Sequence, residues 1–205
     1  MRDARRLLWV IPVYVVIFIG MYVLPNAWIA LLGFHLTLIV PLLPHLRTLP
    51  ARLLHPVSPA LLLAMALIGI LTGVGLWLLW PCFGVSGQYR AQLAALGLTG
   101  TLPCALFIGY FGLVNPWLEE AFWRGALADP ARGLAPVDFL FAGYHLIILV
   151  SFVGPFWLSV VLCILVASGW LWRTIARVTG SLLPLVVCHM LADFSIACAL
   201  YQRSL

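Results

Sequence analysis

The sequence predicts an all-α fold, a multi-pass transmembrane helical bundle of about seven spans, on three observations. Charged residues make up 8% of the chain and hydrophobic ones 64%, with a mean hydropathy of +1.13. A soluble domain needs roughly 25% charged residues to cover its surface. The apolar runs are also long enough to cross a hydrocarbon core, which takes roughly 20 helical residues. Only short loops join them, so residues 1–205 read as one integral membrane domain.

The spans follow in order. Arg2, Arg5 and Arg6 precede span 1, about Leu8 to Leu24, which Pro25-Asn26 closes. Met21 to Pro25 is no small-x-small cleavage site, so this reads as a retained span and not a signal peptide. Span 2 runs about Ala27 to Leu43, and the loop His45 to Pro59 carries Arg47 and Arg52. Span 3 is about Ala60 to Trp80; the loop after it, Pro81 to Gln92, holds Gly84, Gly87 and Arg90. A long segment, Leu93 to Ala128, is expected to break at Pro103 and Pro116. Proline suits the first turn of a helix, so Pro116 is expected to restart one that displays Glu119, Glu120 and Arg124. Gly125 and Asp129-Pro130 end it. Span 5 is about Pro136 to Val153, and Gly154-Pro155 turns it into span 6, Phe156 to Trp172. The loop Arg173 to Ser181 leads to span 7, Leu182 to Tyr201.

The net charge of +5 comes from 11 Arg and no Lys. With the N-terminus in the cytoplasm, the loops with Arg47 and Arg52, with Arg132, and with Arg173 and Arg177 all fall inside, as the positive-inside rule requires. A nucleic-acid partner has no support, since the Arg are scattered and not interleaved with aromatics. The five Cys show no C-x-x-C spacing and point to neither disulfides nor zinc knuckles.

Against this background, ionisable residues inside spans stand out. Only six residues are acidic, and Glu119, Glu120 and Asp193 lie in apolar segments with His145 and His189. Each such charge costs roughly 2.5–3.5 kcal/mol at mid-bilayer even on the lenient scale. Three segments carrying that cost are expected to converge. The span boundaries put Glu119, His145 and His189 at a common depth of roughly 10–14 Å below the cytoplasmic face. Spacing sharpens this: His189 and Asp193, Phe141 and His145, and Glu120 and Arg124 are each i and i+4, on one helix face. The last has the acid first, the favourable order for an ion pair, which leaves Glu119 to face the site. His35, alone in span 2, is expected only to pack.

Glu119-Glu120-Ala121-Phe122-Trp123-Arg124 resembles the E-E-x-x-x-R motif of the CAAX protease and bacteriocin-processing family of intramembrane proteases. Phe141 to His145 resembles its F-x-x-x-H motif, and His189 to Asp193 its H-x-x-x-N motif. The resemblance covers about residues 115–199. Trp123 stands where the family more often has Phe, and Asp193 where it usually has Asn. The resemblance implies an endopeptidase of glutamic type, with Glu119 as general base, His145 helping to hold the water and His189 donating to the oxyanion. Arg124 would hold Glu120. Asp193, which cannot donate when ionised, would be protonated or orient His189. No cofactor is implied. The alternative is Zn²⁺ held by Glu119, His145, His189 and Asp193, whose ligand types suit it.

The partners expected are the lipid bilayer and a peptide or protein substrate at the membrane, in a bacterial cytoplasmic membrane by default. Two other readings stay open. One is a non-enzymatic immunity or partner-binding protein on the same bundle. The other is a proton relay or transporter, although the chain lacks paired broken helices in matching halves.

Overall fold

A computed structural model describes residues 4–83, 85 and 87–204; Arg2 and Gly84, cited above, lie outside them. Helix α1 (Val10–Phe18) runs from a 3-10 turn, Ala4–Trp9, into a π turn, Ile19–Val23. α2 (Ala27–Leu42) starts at Asn26, whose side chain accepts from the Trp28 and Ile29 N–H groups, satisfying donors the first turn would leave unpaired. α3 (Leu49–Leu53) is a short helix in the following loop. α4 (Pro59–Leu78) is capped by Ser58, and α5 (Tyr89–Ala95) lies at the opposite end. α6 (Thr101–Glu120) continues into a π turn, Ala121–Ala126. α7 (Pro136–Leu149) and α8 (Pro155–Thr179) follow; α8 stops at Gly180, whose left-handed φ of +70° favours glycine. α9 is Leu183–Ser204. Among the described residues the only β pairing is one isolated bridge, Val85–Val153.

Among the described residues six helices are long and apolar enough to cross a membrane, and α7 is a shorter apolar helix beside them. The bundle is a ring of neighbours: α4 lies along α9, α9 on α6, α6 on α2, α2 on α1, α1 on α7, and α7 on α8. α8 returns to α9 and closes it. Lipid-facing packing gains little from the hydrophobic effect, so close backbone approach has to hold helices together. α4 and α9 do this through Gly69 and Gly73. A Cβ on Gly69 would collide with the Cys188 carbonyl, and one on Gly73 with the backbone of Ser195. The Ser195 hydroxyl sits in the gap, 3.0 Å from Gly69 O, and accepts from the Gly73 N–H at 3.1 Å.

Two boundaries differ from the sequence expectation. The segment Leu93–Ala128 breaks at Gly97 and Gly100, both at positive φ, and neither Pro103 nor Pro116 interrupts it. Pro103 lies in the first turn of α6, where no helical N–H partner is lost. Pro116 removes a single bond, and neighbouring helices hold the rest in register. Arg173 is the second difference. It lies inside α8, not in a loop, and is 3% exposed. Its guanidinium meets Asp138 of α7 as a fork, Nε to Oδ1 at 3.0 Å and Nη2 to Oδ2 at 2.7 Å. It also donates to the carbonyls of Ala131 and Gly133. Arg177 donates to Pro130 and Ala131, and Trp170 Nε1 to Arg132. The connection from α6 to α7 is thereby clamped onto α8.

Two stability predictions follow from this packing. Gly73→Val forces α4 off α9 and is expected to lower the thermal midpoint in detergent far more than Ser195→Ala, whose lost bond is worth about 0.6 kcal/mol. Asp138→Ala strands a buried guanidinium and is expected to cost about 3–5 kcal/mol, with Asp138→Ala/Arg173→Met recovering part of it. Unfolding followed by circular dichroism checks both.

Candidate active site

The site begins with the end of α6. Successive residues of an α-helix point about 100° apart, yet Glu119 and Glu120 are both buried, at 1% and 0% exposure. They turn to different partners, and the π turn begins directly after them. Such π segments are frequent at functional sites, and this one carries Trp123 and Arg124.

Glu119 faces the centre of the bundle. Its Oε1 accepts from the Tyr144 hydroxyl of α7. Its Oε2 accepts from Asn115 Nδ2 at 3.0 Å and lies 3.5 Å from His189 Nε2 of α9. A carboxylate offers about four lone-pair directions, so room remains for a further donor.

Glu120 faces Arg124 and His189. Its Oε1 accepts from Arg124 Nη1 at 3.1 Å and lies 2.9 Å from His189 Nδ1. The ion pair expected from spacing is present, and it has a second function. Because a carboxylate can only accept, His189 Nδ1 must donate, and its Nε2 is turned toward Glu119 Oε2 and Asp193 Oδ1, each at 3.5 Å. Glu120 Oε2 and Trp123 Nε1 are buried with no hydrogen-bond partner.

His145 reaches the cluster by a different route. Its Nδ1 donates to Phe141 O at 2.9 Å, so the neutral ring presents an acceptor at Nε2. The ring stacks on Tyr144, with centroids 4.0 Å apart, and Tyr144 in turn bonds Glu119. Phe141 acts as a platform. Arg124 Cζ lies 4.0 Å from its centroid and 5.1 Å from that of Trp172 in α8. Trp172 also packs on His189, at 5.3 Å. Below them the α3 loop closes the end of the site. Leu49 packs against Gly125, and Arg52 Nη2 donates to Arg124 O at 3.1 Å.

All seven residues singled out from the sequence thus lie in one region. Arg124, Glu120 and His189 are hydrogen-bonded in series, Glu119 and Asp193 each lie 3.5 Å from His189 Nε2, and His145 and Phe141 form the aromatic wall. Sequence reasoning missed Asn115, Tyr144 and Trp172. Asn115 is one turn before Glu119, the same i to i+4 spacing that linked His189 to Asp193, and Tyr144 adjoins His145. His35, expected only to pack, bonds Asn115 Oδ1 and the Tyr110 hydroxyl, each at 3.1 Å. Among the described residues no group of three His, Cys, Asp or Glu side chains is arranged to hold a metal ion. In the set named for Zn²⁺ both imidazoles are hydrogen-bonded through Nδ1, which leaves their Nε2 atoms uncommitted to those acceptors.

Residues 100–195 match the family model described as Type II CAAX prenyl endopeptidase Rce1-like. That segment starts at the head of α6 and includes every residue of the cluster. No curated protein and no solved structure matches the chain. The likeness read from three short motifs is joined by a match across the whole site-bearing segment: residues 100–195 of this integral membrane protein are similar to the Rce1-like endopeptidases, which points to a protease.

Proposed function

We propose that the chain is an intramembrane endopeptidase that cleaves a membrane-associated or C-terminally tagged protein with a water activated by Glu119. The observation that carries this reading is the approach of Glu119 to His189, 3.5 Å apart on two helices and both buried. Peptide hydrolysis needs a base for the water and a donor for the oxyanion. These two groups supply one of each.

The water would lie between Glu119 and His145 Nε2. As its oxygen attacks the scissile carbonyl carbon, its proton passes to Glu119. The developing oxyanion takes a hydrogen bond from His189 Nε2 in its protonated form. The C–N bond then breaks, and the proton held by Glu119 goes to the leaving amine. Glu120 and Arg124 hold the His189 ring by Nδ1, and Asp193 faces its Nε2. Donors fixed before the reaction, in a site of low dielectric, are worth more than the same donors in water. The proposed mechanism uses no metal ion. The N-terminus and the site end would face the cytoplasm, supported by Arg47, Arg52, Arg132 and Arg177 at that end.

The test uses purified protein in liposomes with a farnesylated CAAX peptide and its unprenylated counterpart. Glu119→Gln is expected to abolish cleavage while the circular dichroism melt stays close to wild type; cleavage that persists rejects Glu119 as the base. Cleavage is expected to survive o-phenanthroline. Loss that added Zn²⁺ restores would establish a metal enzyme instead.

A further inference from the structure

Asn115 is 2% exposed and touches three ionisable side chains from three helices. Its Nδ2 lies 3.0 Å from Glu119 Oε2 and 3.1 Å from Asp193 Oδ2. Its Oδ1 lies 3.1 Å from His35 Nε2. Chemistry fixes the direction of every bond. Carboxylates accept, so the amide nitrogen must face the two acids and spend one hydrogen on each. The amide oxygen then accepts from His35 Nε2–H. The His35 ring accepts at Nδ1 from the Tyr110 hydroxyl, 3.1 Å away.

We infer that Asn115 is a positioning residue that keeps two neighbouring acids apart, holding Glu119, together with Tyr144, as the ionised base and confining any proton on Asp193 to the oxygen facing His189. Glu119 receives a donor on each oxygen, Tyr144 on Oε1 and Asn115 on Oε2. Both favour its carboxylate form and fix its plane. Among the described residues Asp193 receives its one hydrogen bond on Oδ2, so its Oδ1 is the oxygen that can share a proton with His189 Nε2. Two carboxyl groups in one buried site, with no donor between them, share a proton, and the base would then be partly spent.

The chain Tyr110–His35–Asn115 is not a proton wire. An amide does not pass a proton on, so the chain orients Asn115 and polarises it. The groups facing the two acids are Asn115, Glu120 and Arg124 from α6 and its π turn, Tyr144 and His145 from α7, His189 from α9 and His35 from α2.

The experiment has two arms. Infrared spectra of the purified protein in deuterated buffer read protonated carboxyl groups directly. Asn115→Leu is expected to add a carboxyl C=O band that disappears in Asn115→Leu/Glu119→Gln. A purely structural role would leave that region unchanged, and this result would overturn the inference. In the second arm, which rests on the protease reading, Asn115→Leu is expected to lower kcat on the order of 100-fold with KM within about twofold, and to move the acid limb of the pH profile. The swap Asn115→Asp/Asp193→Asn, which keeps one amide and one acid across the gap, is expected to regain activity over Asn115→Leu and to lack the new band. An unchanged kcat, or a swap no better than Asn115→Leu, overturns the inference. So does failure of both variants to fold. A wild-type protein that cleaves no probe refutes the protease reading alone, and the infrared arm still decides the role of Asn115.

Discussion

The bond from His189 Nδ1 to Glu120, with Arg124 on the same carboxylate oxygen, is the contact on which the site depends. Three acidic groups sit where the bundle shields them from bulk water: Glu119, Glu120 and Asp193. Removing a charge from water costs several kcal/mol unless partners replace the lost hydrogen bonds. Here one guanidinium, one imidazole, one amide and one phenol supply them, and they come from α6 with its π turn, α7 and α9. The convergence of α6, α7 and α9 is therefore a requirement of the chemistry. No helix carrying one of these acids could face lipid alone. Glu120 also fixes the tautomer of His189, so the pair that looks structural determines which imidazole nitrogen faces Glu119.

The rest of the bundle sets the distances. Gly69 and Gly73 let α4 lie against α9, which holds the backbone near His189 and Asp193. Gly112 of α6 admits the ring of Phe194, one residue past Asp193, so the approach of α6 to α9 is set close to the site. On the opposite side, the Asp138–Arg173 fork ties α7 to α8 and brings Trp172 over Arg124 and His189. Arg124 is then held between two aromatic faces, where a guanidinium keeps its charge and needs fewer polar neighbours.

Much of this was legible in the sequence because lipid makes it so. Apolar runs, scattered Arg and intramembrane acids are strong signals when the solvent is hydrocarbon, and the i to i+4 pairs share a face on any helix. The failures have physical causes too. Proline signals a break in water, but Pro116 sits in a helix whose neighbours and lipid leave no alternative structure. The true break came from glycines 97 and 100 at positive φ. Arg173 looked like a loop residue because a lone Arg near the end of a span normally is one. Its partner Asp138, in the first turn of another helix, is 35 positions away, and no periodicity links them. Asn115 was overlooked for a simpler reason: a neutral amide carries no cost that marks it in an apolar run, and its value depends on what it faces.

Asp193 brings these constraints together in one side chain. An additional carboxylate beside Glu119 and Glu120 adds repulsion that the bundle has to offset. The sequence alone left its role open between protonation and orientation of His189. The geometry links both roles. Asp193 Oδ1 faces His189 Nε2, where a proton can lie between them, and Oδ2 is held by an amide that cannot itself accept a proton from it. A site built to carry protons across a membrane needs a continuous line of groups that both take and release them. Here the line from Tyr110 inward stops at an amide, and the ionisable groups beyond it close on one another. That arrangement suits a reaction that borrows a proton and returns it in the same place, as hydrolysis does.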